Sequence, residues 1–273
     1  MSHHHDHPES PVDDAHMIAM LDADALVAGT LLDDLADLVA EHAPHPVRSV
    51  VDLGAGTGTG TRALAARFPD AHVTAVDSSP AMLDRIRAAS PGLDGRLTLC
   101  AADLDAGWPD GVGPGDVVWS ALALHHVSEP AAFLGTLKDH LTPDGVVALV
   151  EMDAHPRYLP HDLGLGEPGL EERLHAAIDT GDMDPHPDWT ATLADHGYDV
   201  VARQQVTITP SDTDAMRHLA HLFLAHVADR VATPLSPSDA AVLAELLGDG
   251  PASVRHRDDL DYRATRTVWI ARR

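Results

Sequence analysis

The chain has 273 residues, 44% of them hydrophobic, and a formal charge of −25 from 43 acids against 18 lysines and arginines. That balance repels polyanions and excludes nucleic acid as an expected partner. No apolar run approaches the ~18 residues of a membrane span, and the single cysteine, Cys100, allows no internal disulfide, so a soluble, cytoplasmic protein is expected.

The sequence predicts a disordered tail over residues 1–12. It is polar and carries His3, His4, His5 and His7, a cluster able to bind a divalent metal adventitiously, and it is excluded from the fold. Residues 13–273 read as one domain, with its core in 45–153, 188–210 and 258–273 and with lid or substrate insertions at 154–187 and 211–257. Apolar residues Met17, Met20, Leu21, Leu31, Leu35 and Val39 recur at helical spacing around Gly29, which predicts two leading helices.

The apolar run Val50-Val51-Asp52-Leu53 then enters a turn with glycines at alternate positions, Gly54, Gly56 and Gly58. Such a loop bends sharply and brings backbone close to a ligand, because a side chain there would clash or forbid positive φ. A helix follows over 59–68, with Thr59 as its cap, an i, i+4 pair of Leu64 and Phe68, and Pro69-Asp70 as the stop. The β-prone run 72–76 delivers Asp77 to a strand end, where a carboxylate can accept hydrogen bonds from two ribose hydroxyls. Ser78 or Ser79 suffices as the cap of the next helix, 81–89, in which Met82 and Ile86 pair, which favours the ribose reading of Asp77 over its alternative as part of that cap.

Further along, a strand at 97–101 carries Cys100 as a small buried group and ends before Asp103, which reads as a ligand contact or as a turn residue. A strand from Asp116 runs through Trp119 and Ser120 toward His125 and His126, and a helix over 129–141 leads to a strand ending near Glu151. Trp108 and Trp119 could line an adenine or substrate wall, but tryptophan near a strand end is more often core or rim. Residues 152–187 form a long excursion with a helix at 167–180, a helix at 189–196 ends at Gly197, and a strand covers 198–208. The stripe Met216, Leu219, Leu222, Phe223 and Val227 and a short helix at 241–247 predict a lid or homodimer contact before the closing strand, 265–271.

The glycine spacing excludes two nucleotide classes. A dinucleotide fingerprint would need a third glycine at Thr59 or Thr61, and a phosphate-cradling loop would need Gly-Lys-Ser or Gly-Lys-Thr, whereas Lys138 is the only lysine.

On these residues the chain resembles the class I S-adenosylmethionine (SAM)-dependent methyltransferases of small-molecule type. Asp52-Leu-Gly54-Ala-Gly56-Thr-Gly58 is similar to the family's first motif, Asp77 to its acid after the second strand, and Cys100-Ala-Ala102-Asp103-Leu104 to its adenine-contacting segment. Residues 116–127 and 141–151 look like its fourth and fifth strands. The resemblance implies a Rossmann-like, doubly wound α/β fold with a mostly parallel seven-stranded sheet, an antiparallel last strand, a helical N-terminal cap and a helical insertion before that strand. It implies SAM as cofactor, held by Asp52, Gly54, Gly56, Gly58, Asp77, Ser78, Met82, Ala102, Asp103, Leu104 and Ser120, with Asp52 orienting the methionine amino group. No metal is required. His125 or His126 is the candidate base, since a neutral imidazole can take a proton from a small-molecule acceptor at oxygen, nitrogen or carbon; packing or capping roles for the pair stay open. Glu151, Asp153 and His155 form a second acceptor-side group. The rival readings are a SAM-binding regulator without turnover and, against the glycine spacing, an NAD-dependent oxidoreductase.

Overall fold

The computed structural model describes residues 11–178, 187–231 and 234–273. Most of the expected tail, with its four histidines, lies outside these residues. The first helix, α1 (Pro11–Ala28), takes in the tail's last two positions, and Gly29, at φ +60°, turns the chain by 73° into α2 (Leu31–His42). Among the described residues no single helix is long and apolar enough to cross a membrane.

The core follows as β1 (Ser49–Leu53), α3 (Thr59–Arg67), β2 (His72–Asp77), α4 (Pro80–Ala89) and β3 (Leu97–Ala101). Then come β4 (Gly115–Ala121), α5 (Pro130–Leu137) and β5 (Leu141–Met152). Past α6 (Leu170–Ala176) and α7 (Trp189–Asp195), β6 (Asp199–Thr207) is separated by α8 (Thr213–Asp229) and α9 (Pro237–Leu247) from β7 (Thr265–Arg272). The sheet has the order β3-β2-β1-β4-β5-β7-β6, parallel except that β7 runs antiparallel to both neighbours. This is the expected Rossmann-like sheet. Its order reverses between β1 and β4, and at such a switch point the carboxyl ends of the strands part to leave a crevice.

Strand alternation sorts the chemistry between two faces. On one, Val50, Val117, Trp119, Val146, Ala148, Val150, Val268 and Ile270 pack beneath α1, α2 and α3. On the other, Val51, Leu53, Val118, Leu149 and Trp269 pack against Phe133 and Leu137 of α5 and Trp189 and Leu193 of α7. A further apolar cluster joins Leu170 and Leu174 of α6, Leu224 and Val227 of α8, and Val242, Leu243 and Leu246 of α9. Arg173 clamps that cluster: its Nε and Nη2 donate to the two Asp239 oxygens at 2.9 and 2.6 Å. The α8 stripe is largely covered within the chain, because Met216, Leu219 and Val227 are buried and the helix packs along α1.

Several local expectations need correction. Gly58, not Thr59, is the cap of α3, in the left-handed region at φ +77°. The helix expected over 129–141 stops at Leu137 and passes through a tighter turn, Lys138–His140, because Leu141 already belongs to β5. The helix expected at 167–180 is shorter, Leu170–Ala176, with residues 179 and 180 outside the described ones. The last expected helix starts earlier, at Pro237, where the Ser236 hydroxyl accepts from the Asp239 N–H at 3.0 Å. Cys100 is only half-buried.

A Cβ on Gly58 would lie 2.7 Å from Ile86 Cγ1, so this glycine lets the loop pack against α4. Gly58→Ala should therefore destabilise the protein by about 1–3 kcal/mol through left-handed strain and overpacking. An unchanged urea midpoint would contradict that packing role.

Candidate functional site

A cleft of about 950 Å³ opens at the carboxyl ends of the strands, between the glycine loop, α1, the exit of β4 and the end of α8. That volume is near the upper end for small-molecule sites. Its base is the glycine loop. Gly54, Gly56 and Gly58 all have positive φ, and a Cβ on Gly54 would sit 2.2 Å from the Cβ of Ala123, so only glycine lets β1 and β4 leave the sheet this close together.

Asp77 fixes the loop. Its Oδ2 accepts from the Gly56 N–H at 2.8 Å and its Oδ1 from the Ser79 N–H at 2.9 Å. Burial raises its pKa, and the hydrogen bonds from Ser79 and Gly56 oppose that rise. Asp77 thus organises the turn into α4 and also lines the cleft. The cap itself is Ser79, whose hydroxyl accepts from the Met82 N–H at 3.3 Å.

Asp52 lines the cleft from the tip of β1 and is 2% exposed, with Oδ2 accepting from the Thr61 hydroxyl at 2.6 Å. Burial lifts its pKa to about 7, the Thr61 bond opposing and nearby Asp77 adding to the rise. Ser78, Met82, Ala102, Asp103 and Leu104 form the wall beyond β2 and β3. Asp103 is exposed, and its Oδ1 accepts from the Asp105 N–H at 2.9 Å. Asp105 in turn accepts from the Ser128 N–H at 2.7 Å and the Ser128 hydroxyl at 2.9 Å, tying this wall to the β4 exit.

Three of the sequence-predicted residues do not line the cleft. Gly58 packs on Ile86. Ser120, next to Trp119 on β4, faces the α5 side because neighbouring strand residues point to opposite faces; it is buried with its hydroxyl unpartnered. His125 is buried on that same side, with Nδ1 2.7 Å from Glu151 Oε2, while Trp189 Nε1 donates to Glu151 Oε1 at 3.4 Å. His126, its ring 4.2 Å from that of His125, is the member of the pair that lines the cleft. Burial, then His125 and Arg230, lower its pKa to about 4, so it is neutral at pH 7. The second acceptor-side group is not on the cleft: Glu151 holds His125, and Asp153 accepts from the Thr267 hydroxyl at 2.6 Å and from Gln205 Nε2 at 2.7 Å.

The cleft also holds residues outside the predicted cofactor-binding set. Met17 and Leu21 of α1 close it from above. Trp119, read as core, presents a buried, unpartnered Nε1 there, and Thr57 a buried, unpartnered Oγ1. Arg266, at the start of β7, is 4% exposed; its Nη2 donates to both Asp24 oxygens at 2.7 and 2.5 Å while its Nε has no partner. His16, His226, Asp229 and Arg230 complete the wall between α1 and α8. Only the glycine loop and the strand ends carry a sequence signal, whereas these residues reach the cleft through tertiary packing. Leu122, in the left-handed region at φ +55°, lets its N–H reach the Val150 carbonyl at 2.9 Å as the chain leaves β4. A bulky residue there is strained, and such strain gathers at functional sites.

Buried polar atoms without partners are few in folded proteins. Those of Thr57 and Trp119, beside Asp52 and the close backbone approach at Gly54, fit a ligand with its own charged and hydrogen-bonding groups; the half-buried apolar pair Ala102 and Leu104 fits a flat ring. These features suit the amino acid, ribose and adenine parts of SAM.

Comparison with known proteins agrees with this geometry. A family profile described as a methyltransferase domain matches residues 50–145. The chain is 35% identical over 150 residues to a trans-aconitate 2-methyltransferase of Methylobacterium radiotolerans, covering 51% of this chain and 55% of that one. It is 36% identical over 162 residues to a malonyl-[acyl-carrier protein] O-methyltransferase of Halorhodospira halophila, covering 58% and 52%. It thus spans about half the length of the curated relatives it matches. A SAM-dependent methyltransferase from Thiobacillus denitrificans, solved with S-adenosyl-L-homocysteine, shares the fold with a TM-score of 0.53 at 18% identity, over 96% of this chain and 98% of that one. In sheet order, glycine loop and the methyltransferase domain matched over residues 50–145, this chain is similar to the class I SAM-dependent methyltransferases.

Proposed function

We propose that this chain transfers a methyl group from SAM to a small organic acceptor. The observation that carries the reading is the loop held by Asp77 beside buried Asp52, with Thr57 Oγ1 and Trp119 Nε1 left unpartnered in the cleft. When bound, the cofactor supplies an electrophilic methyl on a sulfonium, and the chain's own part is to hold it, align the acceptor and exclude water. In this reading Asp77 retains a lone pair for ribose hydroxyls, and Ser78, Met82, Ala102, Asp103 and Leu104 frame the adenosine. Asp52 faces the methionine amino group with Thr57 and Trp119 near its carboxylate, and Gly54 and Gly56 allow the close approach. Gly58, Ser120 and His125 support this arrangement from behind.

His126 is the residue placed to meet the acceptor. With a pKa near 4 it is a weak base at neutral pH, so its role is to orient the acceptor as a neutral imidazole. The relatives' names support a small acceptor and, in the malonyl enzyme, transfer to oxygen. Residues 13–273 act as one domain, in which 154–187 and 211–257 form the acceptor-side lid. The covering of the α8 stripe by α1 supports a lid over a homodimer contact. The single cysteine accords with a cytoplasmic location.

Calorimetry with SAM and with its demethylated product tests this directly, micromolar binding being expected; no binding at millimolar ligand would defeat it. Incubation of labelled SAM with small-molecule extracts separates turnover from mere binding, and the proposal requires a labelled product.

Thr57→Val removes an unpartnered hydroxyl, so the ligand-free protein should gain up to about 1 kcal/mol in stability while cofactor affinity falls about five- to tenfold. Affinity unchanged in that variant would remove Thr57 from the site. Ionised Asp52 is the form that pairs with an ammonium group, and its pKa near 7 sets the window. Affinity should therefore rise as pH goes from about 6 to about 7.5, and Asp52→Asn should both weaken binding and flatten the profile. A wild-type profile already flat over that window would exclude Asp52 as the amino-group partner. In the ligand-free protein the sign is opposite: a raised carboxylate pKa adds stability that is full below the unfolded value near 4 and lost as pH rises through 7.

A further inference from the structure

The acceptor side of the cleft has a charge pattern unlike the rest of the molecule. In a chain of 43 acids, Arg67, Arg85, Arg157 and Arg173 are each paired with a carboxylate. Arg230, just past the end of α8, lines the cleft and is exposed, and among the described residues its guanidinium has no ion pair. Its charge reaches His126 on the β4 side and His226 on α8, disfavouring protonation of both. His226 stacks on His16 of α1, ring centroids 6.0 Å apart, and His16 Nε2 is buried and unpartnered on the cleft wall. Arg266 adds a second buried donor without a partner, its Nε. The Arg230 guanidinium and several N–H groups thus face one volume next to the cofactor loop.

Resting on the methyltransferase reading, we propose that this wall selects acceptors carrying a carboxylate, which Arg230 binds with the neighbouring imidazoles of His126 and His226. A guanidinium offers parallel N–H groups that match the two oxygens of a carboxylate. Neutral imidazoles each add one N–H and no charge of their own. A dianionic phosphate fits less well, since Asp14, Asp24 and Asp229 line the same cleft and Arg266 is already neutralised by Asp24. The assignment also accounts for the weak basicity of His126. An organic acid arrives ionised at neutral pH, so no strong base is needed to free a lone pair on it.

The test uses the full chain and two readouts. Binding of succinate, glutarate, benzoate, their amides and benzyl phosphate is followed by ligand-observed NMR without cofactor, and the same compounds are offered with labelled SAM. The acids should bind and the amides and the phosphate should not. Arg230→Ala should weaken acid binding, or raise KM for a methylated acid, about 10- to 100-fold, with cofactor affinity unchanged and Arg230→Lys partly restoring it. Acids that bind as weakly as their amides, preference for the phosphate, or Arg230→Ala without effect would each overturn the proposal. Acid binding in a protein that fails to bind SAM would sink the methyltransferase reading and leave the carboxylate site standing; SAM binding without acid binding would do the reverse.

Discussion

The arrangement depends on a carboxylate reaching across from β2 to a loop after β1. Asp77 accepts the Gly56 N–H at 2.8 Å and the Ser79 N–H at 2.9 Å, so one residue sets the loop's height above the sheet and the start of α4. Each is a hydrogen bond to a charged group, worth about 1.5–3 kcal/mol where partly buried, enough to hold three residues at positive φ in place. Because the loop is fixed, Gly54 can lie against Ala123 closer than any side chain would permit, and the crevice at the sheet's switch point keeps its width. Burial raises the Asp77 carboxyl's pKa, a cost that the two backbone donors offset.

From that fixed edge the cleft divides by electrostatics. Toward β1 and β2 lie two acids, Asp52 and Asp77, suited to an ammonium group and to sugar hydroxyls. Toward α8 lie Arg230 and the imidazoles of His126 and His226, held neutral by burial and by the nearby Arg230 charge. Between them, the Asp24–Arg266 pair joins α1 to β7 beneath the cover. Such a buried pair is weak support for stability but a firm constraint on position, since breaking it would leave a charge without a partner. It holds α1, and with it Met17 and Leu21, over the site.

Much of this was legible in the sequence where chemistry is local. Glycines at alternate positions, an acid at a strand end and serines before a proline each dictate backbone geometry within a few residues, and β1 through β3 lie close to where the residues predict them. Ser120 and His125 read differently because a strand sends neighbouring side chains to opposite faces, and nothing local says which face of β4 meets the cleft. The sheet decides it: Trp119 shares a face with Val117 and Ala148, which turns Ser120 toward α5. Thr59 was displaced as a cap because Gly58 alone could take the left-handed conformation against Ile86. Residues 230 and 266 are far from the glycine loop in sequence, and only packing of α8 on α1 and insertion of β7 beside β5 bring them to it.

The most direct measurement is a crystal structure of the chain with S-adenosylhomocysteine. The account predicts the ribose hydroxyls on Asp77, the amino acid end within hydrogen-bonding distance of Asp52, Thr57 Oγ1 and Trp119 Nε1, and the sulfur turned toward Leu122 and His126. A nucleoside bound elsewhere, or a glycine loop that must leave Asp77 to admit it, would contradict the account.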